Sequence, residues 1–89
     1  MVDPCLIGQV IRSFRKSKDL SQEVLSGLAG LDRTHYSKIE CGLRSPTVDT
    51  IFRIAGALEI PAHEIIAVIE RGCRVKIAQK TKRSRRSTG

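Results

Sequence analysis

The chain has 89 residues, 40% of them hydrophobic and only three aromatic, which is enough for one small domain with an aliphatic core. Its net charge of +7 is unevenly held: residues 1–70 carry eight basic and nine acidic side chains, whereas residues 71–89 carry eight basic and no acidic ones. No apolar run approaches the ~18–20 residues that cross a bilayer, and Cys5, Cys41 and Cys73 form neither a disulfide framework nor, with His35 and His63, a zinc-like spacing.

In chain order, Asp3-Pro4 signals a helix start, an Asp cap followed by Pro in the first turn. Leu6, Ile7, Val10, Ile11 and Phe14 follow at helical spacing, which predicts a first helix to about Ser17. Ser21 caps a second helix, Glu23 meets its positive end, and Gly30 is the expected left-handed stop. Leu31 plugs the corner and Asp32 caps a third helix, with Tyr36 and Ile39 inward, that closes at Gly42. Thr47 caps a fourth, whose apolar set is Val48, Ile51, Phe52, Ile54, Ala55 and Leu58. A fifth follows Pro61 with Ile65, Ile66, Val68 and Ile69. Gly72 is expected to break it, although Cys73 and Ile77 keep the helical spacing. From Lys80 onward there is no apolar residue, and a solvated, mobile tail is expected. No strand signal occurs in residues 1–70.

Only Gly30-Leu31-Asp32 separates the second and third helices, so the two must cross steeply. That is helix-turn-helix geometry, whose known use is to set the second helix in the DNA major groove. Arg33, Thr34, His35, Ser37 and Lys38 load that helix with side chains suited to base edges and phosphates.

The ordered signals "LSQE", "AGLDR", "SKIE", "GLRSPT" and "IFRIAGALEIP" make residues 6–70 resemble the phage-repressor and Cro-type helix-turn-helix domain, the XRE family. The length is similar to that of its restriction–modification controller proteins. The resemblance implies an all-α, compact five-helix bundle of the lambda-repressor-like type in residues 1–70, followed by a basic tail, 71–89. It implies a transcription regulator that reads double-stranded DNA with helix 3, about residues 33–41. By the same resemblance Arg33, Thr34 and Lys38 read bases, and Gln22, His35, Ser37, Arg44 and Ser45 meet backbone or flanking groups. Arg15 and Glu40 tie helix 1 to helix 3. The sequence departs from the family at Ser26 and Gly27, at apolar Val24 and Leu28, at Tyr36 where an aliphatic residue is usual, and at Cys41 where a basic or amide residue is common.

Helix 5 carries more isoleucine than a small core needs, which places Ile65, Ile66 and Ile69 at a homodimer interface on a palindromic operator. Val24 and Leu28 are expected to fill a gap against helix 1 rather than to form a partner-binding spot. Gly27-Leu28-Ala29-Gly30 matches an RNA-binding GxxG loop but lacks its flanking strands. No nucleophile–base constellation or phosphate loop points to an enzyme, and nothing points to a metal, cofactor or small-molecule effector. Without an N-terminal basic-then-apolar leader, a cytoplasmic address is expected. Two other readings remain at this point: an antitoxin-like protein-interaction module, and a nonspecific nucleic-acid binder driven by the basic tail.

Overall fold

Four of the expected helix caps are in place in the computed structural model, which describes residues 2–73. Helix α1 spans Pro4–Ser17, and the Asp3 side chain accepts from the Cys5 N–H at 2.9 Å. Helix α2, Gln22–Ala29, is capped by Ser21, whose Oγ accepts from the Val24 N–H at 3.1 Å. Helix α3, Arg33–Glu40, is capped by Asp32, which accepts from the His35 N–H at 3.2 Å. Helix α4, Val48–Leu58, is capped by Thr47, which accepts from the Thr50 N–H at 3.1 Å. Each cap gives a partner to an N–H that the helix itself leaves unpaired. Helix α5 occupies 62–73, and no strand occurs among the described residues. Gly30 ends α2 at φ +69°, and Gly42 follows α3 at φ +80°, both in the left-handed region that a Cβ disfavours.

Helix α1 packs on α3, and α2 packs on both α3 and α4. Ile11, Leu25, Tyr36, Ile39, Leu58 and Ile65 form the centre of one aliphatic core, each almost wholly removed from water. The tightest crossing is at Gly8, where an added Cβ would lie 2.4 Å from the Glu40 carbonyl oxygen and 2.5 Å from that of Ile39. Backbone cannot yield there as a flexible side chain would. Gly8→Ala is expected to cost about 1–3 kcal/mol by overpacking. Gly27→Ala, where an added Cβ meets nothing within 4 Å, should instead stabilise by about 0.5–1 kcal/mol through helix propensity. Urea unfolding of the two variants checks both signs, and a destabilised Gly27→Ala or an unaffected Gly8→Ala would contradict this packing.

Five expectations need correction. Helix α5 runs through Gly72 to at least Cys73 instead of breaking. A Cβ at Gly72 would lie 2.9 Å from a Leu6 methyl, so the glycine lets Leu6 pack closely and does not end the helix. Val48 and Phe52 do not join the core but stand 70% and 61% exposed, because Ile51, Ile54, Ala55 and Leu58 already fill the inner face of α4. Val24 and Leu28 fill no gap against α1; they are 48% and 63% exposed on the outer face of α2. Of the three isoleucines expected at a dimer interface, Ile65 and Ile69 are taken up by the chain's own core, which leaves Ile66 exposed. Residues 71–73, expected to begin the basic tail, belong to α5; the helical spacing at Ile77 and the rest of the expected tail lie outside the described residues.

Candidate nucleic-acid interface

The turn at Gly30–Asp32 sets α3 across α2 and leaves one face of α3 uncovered. The Leu31 N–H donates to the Ser26 carbonyl at 2.9 Å, which closes α2, and Asp32 opens α3 directly. Arg33, Thr34 and Lys38 are exposed on that face, while Ser37 and His35 are half-buried. Gln22 at the start of α2 joins Arg33, Thr34, Ser37 and Lys38 around a shallow groove of about 370 Å³. The structure thus brings five of the eight expected DNA-facing residues around one depression. His35 lies outside that lining, and Arg44 and Ser45 are exposed in the loop that follows α3. That loop is held to the helix: the Leu43 and Arg44 N–H groups both donate to the Lys38 carbonyl, at 2.9 and 3.3 Å.

Behind this face lies one buried carboxylate. Arg15 Nε donates to Glu40 Oε2 at 2.6 Å and Arg15 Nη2 donates to Oε1 at 3.1 Å, a bidentate pair. The Arg15 and Glu40 side chains are only 11% and 3% exposed. Arg15 Nη1 also donates to the Leu20 carbonyl at 2.7 Å, which ties the α1–α2 turn to the same cluster. Gln22 Nε2 donates to Glu40 Oε1 at 3.0 Å, and the Tyr36 hydroxyl donates to Oε2. A single carboxylate therefore links α1, α2 and α3.

Burial by itself would push the Glu40 carboxyl up, but the hydrogen bonds from Arg15, Tyr36 and Gln22 outweigh it and hold the pKa below the usual carboxylate value. Burial and the hydrogen bond to Glu40 drive the Tyr36 hydroxyl well above the ordinary tyrosine range. Near neutral pH Glu40 is therefore ionised and Tyr36 is a neutral donor. The residue missed from the sequence is Tyr36, read only as core. Its spacing of four from Glu40 on one helix was the available signal, since i and i+4 side chains meet.

Residues 11–65 match the helix-turn-helix family. The chain belongs to the XRE-type helix-turn-helix proteins. It is 38% identical over 65 residues to the control protein C.MunI of a Mycoplasma species, covering 72% of this chain and 88% of that protein. It is 39% identical over 62 residues to the control protein C.BamHI of Bacillus amyloliquefaciens, covering 68% of this chain and 76% of that one. The solved restriction-modification controller protein C.AhdI from Aeromonas hydrophila superposes with a TM-score of 0.69 at 38% identity, over 73% of this chain and 98% of that one. In this helix-turn-helix protein α2 and α3 lie within the matched residues and form the two helices joined by the tight turn. The family is one of sequence-specific DNA-binding transcriptional regulators, and this chain is one of them. No helix among the described residues is long and apolar enough to cross a membrane.

Proposed function

We propose that this regulator binds a palindromic operator as a homodimer, with one α3 helix from each subunit in successive major grooves. Arg33, Thr34 and Lys38 read base edges. Gln22, His35, Ser37, Arg44 and Ser45 meet phosphates or flanking groups. The observation that carries this reading is the groove of Gln22, Arg33, Thr34, Ser37 and Lys38, set on a recognition helix anchored by a buried ion pair. The reading needs no catalysis, metal or cofactor, and it puts the protein in the cytoplasm. Residues 71–89, with eight basic and no acidic side chains, add sequence-independent attraction to phosphate. Selection from random duplex DNA tests the whole. A twofold-symmetric site with half-sites about 34 Å apart is expected, and an unenriched pool would refute it.

Twofold symmetry needs a face that meets its own copy, and this reading puts it on α4 and α5. Val48, Phe52 and Ile66 stand exposed around an apolar groove of about 430 Å³, also lined by Ile51, Ala62 and His63. A second copy of the chain is its occupant in this reading, because one small domain touches few base pairs and pairing doubles them. Ile66→Glu should leave the fold intact, since Ile66 is 46% exposed, and should shift the mass in solution to the monomer while weakening operator binding. Ile69→Glu should instead unfold the domain, because Ile69 is buried. Sedimentation and circular dichroism on the two variants separate these outcomes, and an Ile66→Glu protein that stays dimeric would rule this face out.

The exposed pair Val24 and Leu28 supports a second reading, an antitoxin-like interaction module. It takes over if selection recovers no site and a second protein co-purifies in a manner lost in Leu28→Lys.

A further inference from the structure

The Gln22 side chain takes part in two settings at once. It lines the groove beside Arg33 and Lys38, and its Nε2 donates inward to Glu40 Oε1 at 3.0 Å. An ionised carboxylate accepts hydrogen bonds and donates none. Glu40 therefore dictates which way round the Gln22 amide sits, with nitrogen inward, leaving Oε1 and the second N–H for whatever enters the groove.

What fixes the carboxylate itself is less obvious. The last torsion of a glutamate is broad, so the carboxylate plane is set by its donors. Arg15 supplies two, and it cannot readily adjust because its third nitrogen is held by the Leu20 carbonyl at 2.7 Å. Tyr36 supplies the other donor to Oε2, from four residues earlier on the same helix. Each oxygen thus accepts one bond from Arg15 and one from a further donor, Tyr36 at Oε2 and Gln22 at Oε1. Remove the Tyr36 hydroxyl and a buried Oε2 loses a donor. Gln22, which comes from the exposed end of α2, is the donor free to swing toward it, and its amide then leaves the groove.

We propose that Tyr36 is a positioning residue for the DNA-facing amide of Gln22, acting through the Glu40 carboxylate that both of them hydrogen-bond. This rests on the DNA-binding reading for its consequence but not for its geometry. It also separates Tyr36 from a plain core residue: a phenylalanine would fill the same buried space without the donor.

The test is Tyr36→Phe in the full chain, alone and with Gln22→Ala. The Gln22 side-chain amide pair is followed by ¹H–¹⁵N NMR and assigned by its loss in Gln22→Ala. Affinity is measured on the duplex recovered by selection. Tyr36→Phe should move the Gln22 amide signals in the free protein. It should also weaken binding about tenfold, the scale of one hydrogen bond to a charged group. In the Gln22→Ala background the same change should cost less than about twofold, since the two residues act in series. Unmoved amide signals, or equal losses in both backgrounds, would make Tyr36 core filling and nothing more. If the unsubstituted protein selects no duplex, the DNA reading fails, and the amide signals alone still decide the link between Tyr36 and Gln22. Should Tyr36→Phe not fold, fluorotyrosine substitutes at this one position, because Tyr36 is the only tyrosine in the chain. Its stronger donor should shift the same amide signals, and unchanged signals would overturn the proposal.

Discussion

Arg15→Met is expected to remove about 3–5 kcal/mol of folding free energy, the usual result of deleting one partner of a buried ion pair. Glu40, with its side chain only 3% exposed, would keep its charge with the Tyr36 hydroxyl and the Gln22 amide as donors and no cation. A domain of about 70 residues has on the order of 4–10 kcal/mol in total, so much of the population should unfold near physiological temperature. The pH dependence carries a sign. The folded-state pKa of Glu40 lies below its ordinary value, so the stability it confers is complete above the unfolded value of about 4.3 and is lost as pH falls through the depressed one. The gap between the unsubstituted protein and Arg15→Met should therefore be widest at neutral pH and narrow in acid, where Glu40 is protonated in both. Urea midpoints from pH 7 to pH 2.5 test this. A gap that stays constant across the range would mean that the ion pair is not its source.

Arg33→Ala is expected to weaken operator binding by about 1–3 kcal/mol per half-site, roughly 5- to 150-fold. The loss should appear only on DNA bearing the preferred base, which we expect to be a guanine read through O6 and N7. Removing residues 80–89 deletes five positive charges, Lys80, Lys82, Arg83, Arg85 and Arg86, and should act differently. Binding should weaken alike on every sequence. The slope of log affinity against log salt should become shallower by about 0.9 for each phosphate that the tail no longer neutralises. One salt titration of the two variants on specific and scrambled duplexes separates reader from anchor. If Arg33→Ala weakens all sequences equally while truncation abolishes discrimination, the roles are reversed.

Some of this was legible residue by residue. Asp3, Ser21, Asp32 and Thr47 each cap the helix assigned to them, because a short side-chain acceptor next to a helix start satisfies a local N–H wherever the helix later packs. Gly30 adopts the left-handed backbone expected of it, and Gly42, expected to end α3, is left-handed too, for an equally local reason. The tight Gly30–Asp32 turn and the polar face of α3 pointed to the candidate interface, since a three-residue link leaves two helices little choice of crossing. Arg15 and Glu40, 25 residues apart, were paired only through the family resemblance, and periodicity alone would not have joined them.

What the sequence determined by itself was therefore local: five helical segments, their caps and stops, and the polar stripe of the third. Tertiary structure alone decided which apolar residues the core has room for. Helical spacing marks Val48, Phe52, Ile66 and Ile69 alike as apolar, but a core this small accepts one face of each helix. It took Ile69 and left the other three on the surface. Tertiary structure likewise decided that Gly72 gives Leu6 room to pack and does not end α5, because that depends on the neighbour brought against it. It also buried the Tyr36 hydroxyl, which must then find an acceptor, and Glu40 four residues on along the same helix supplies it.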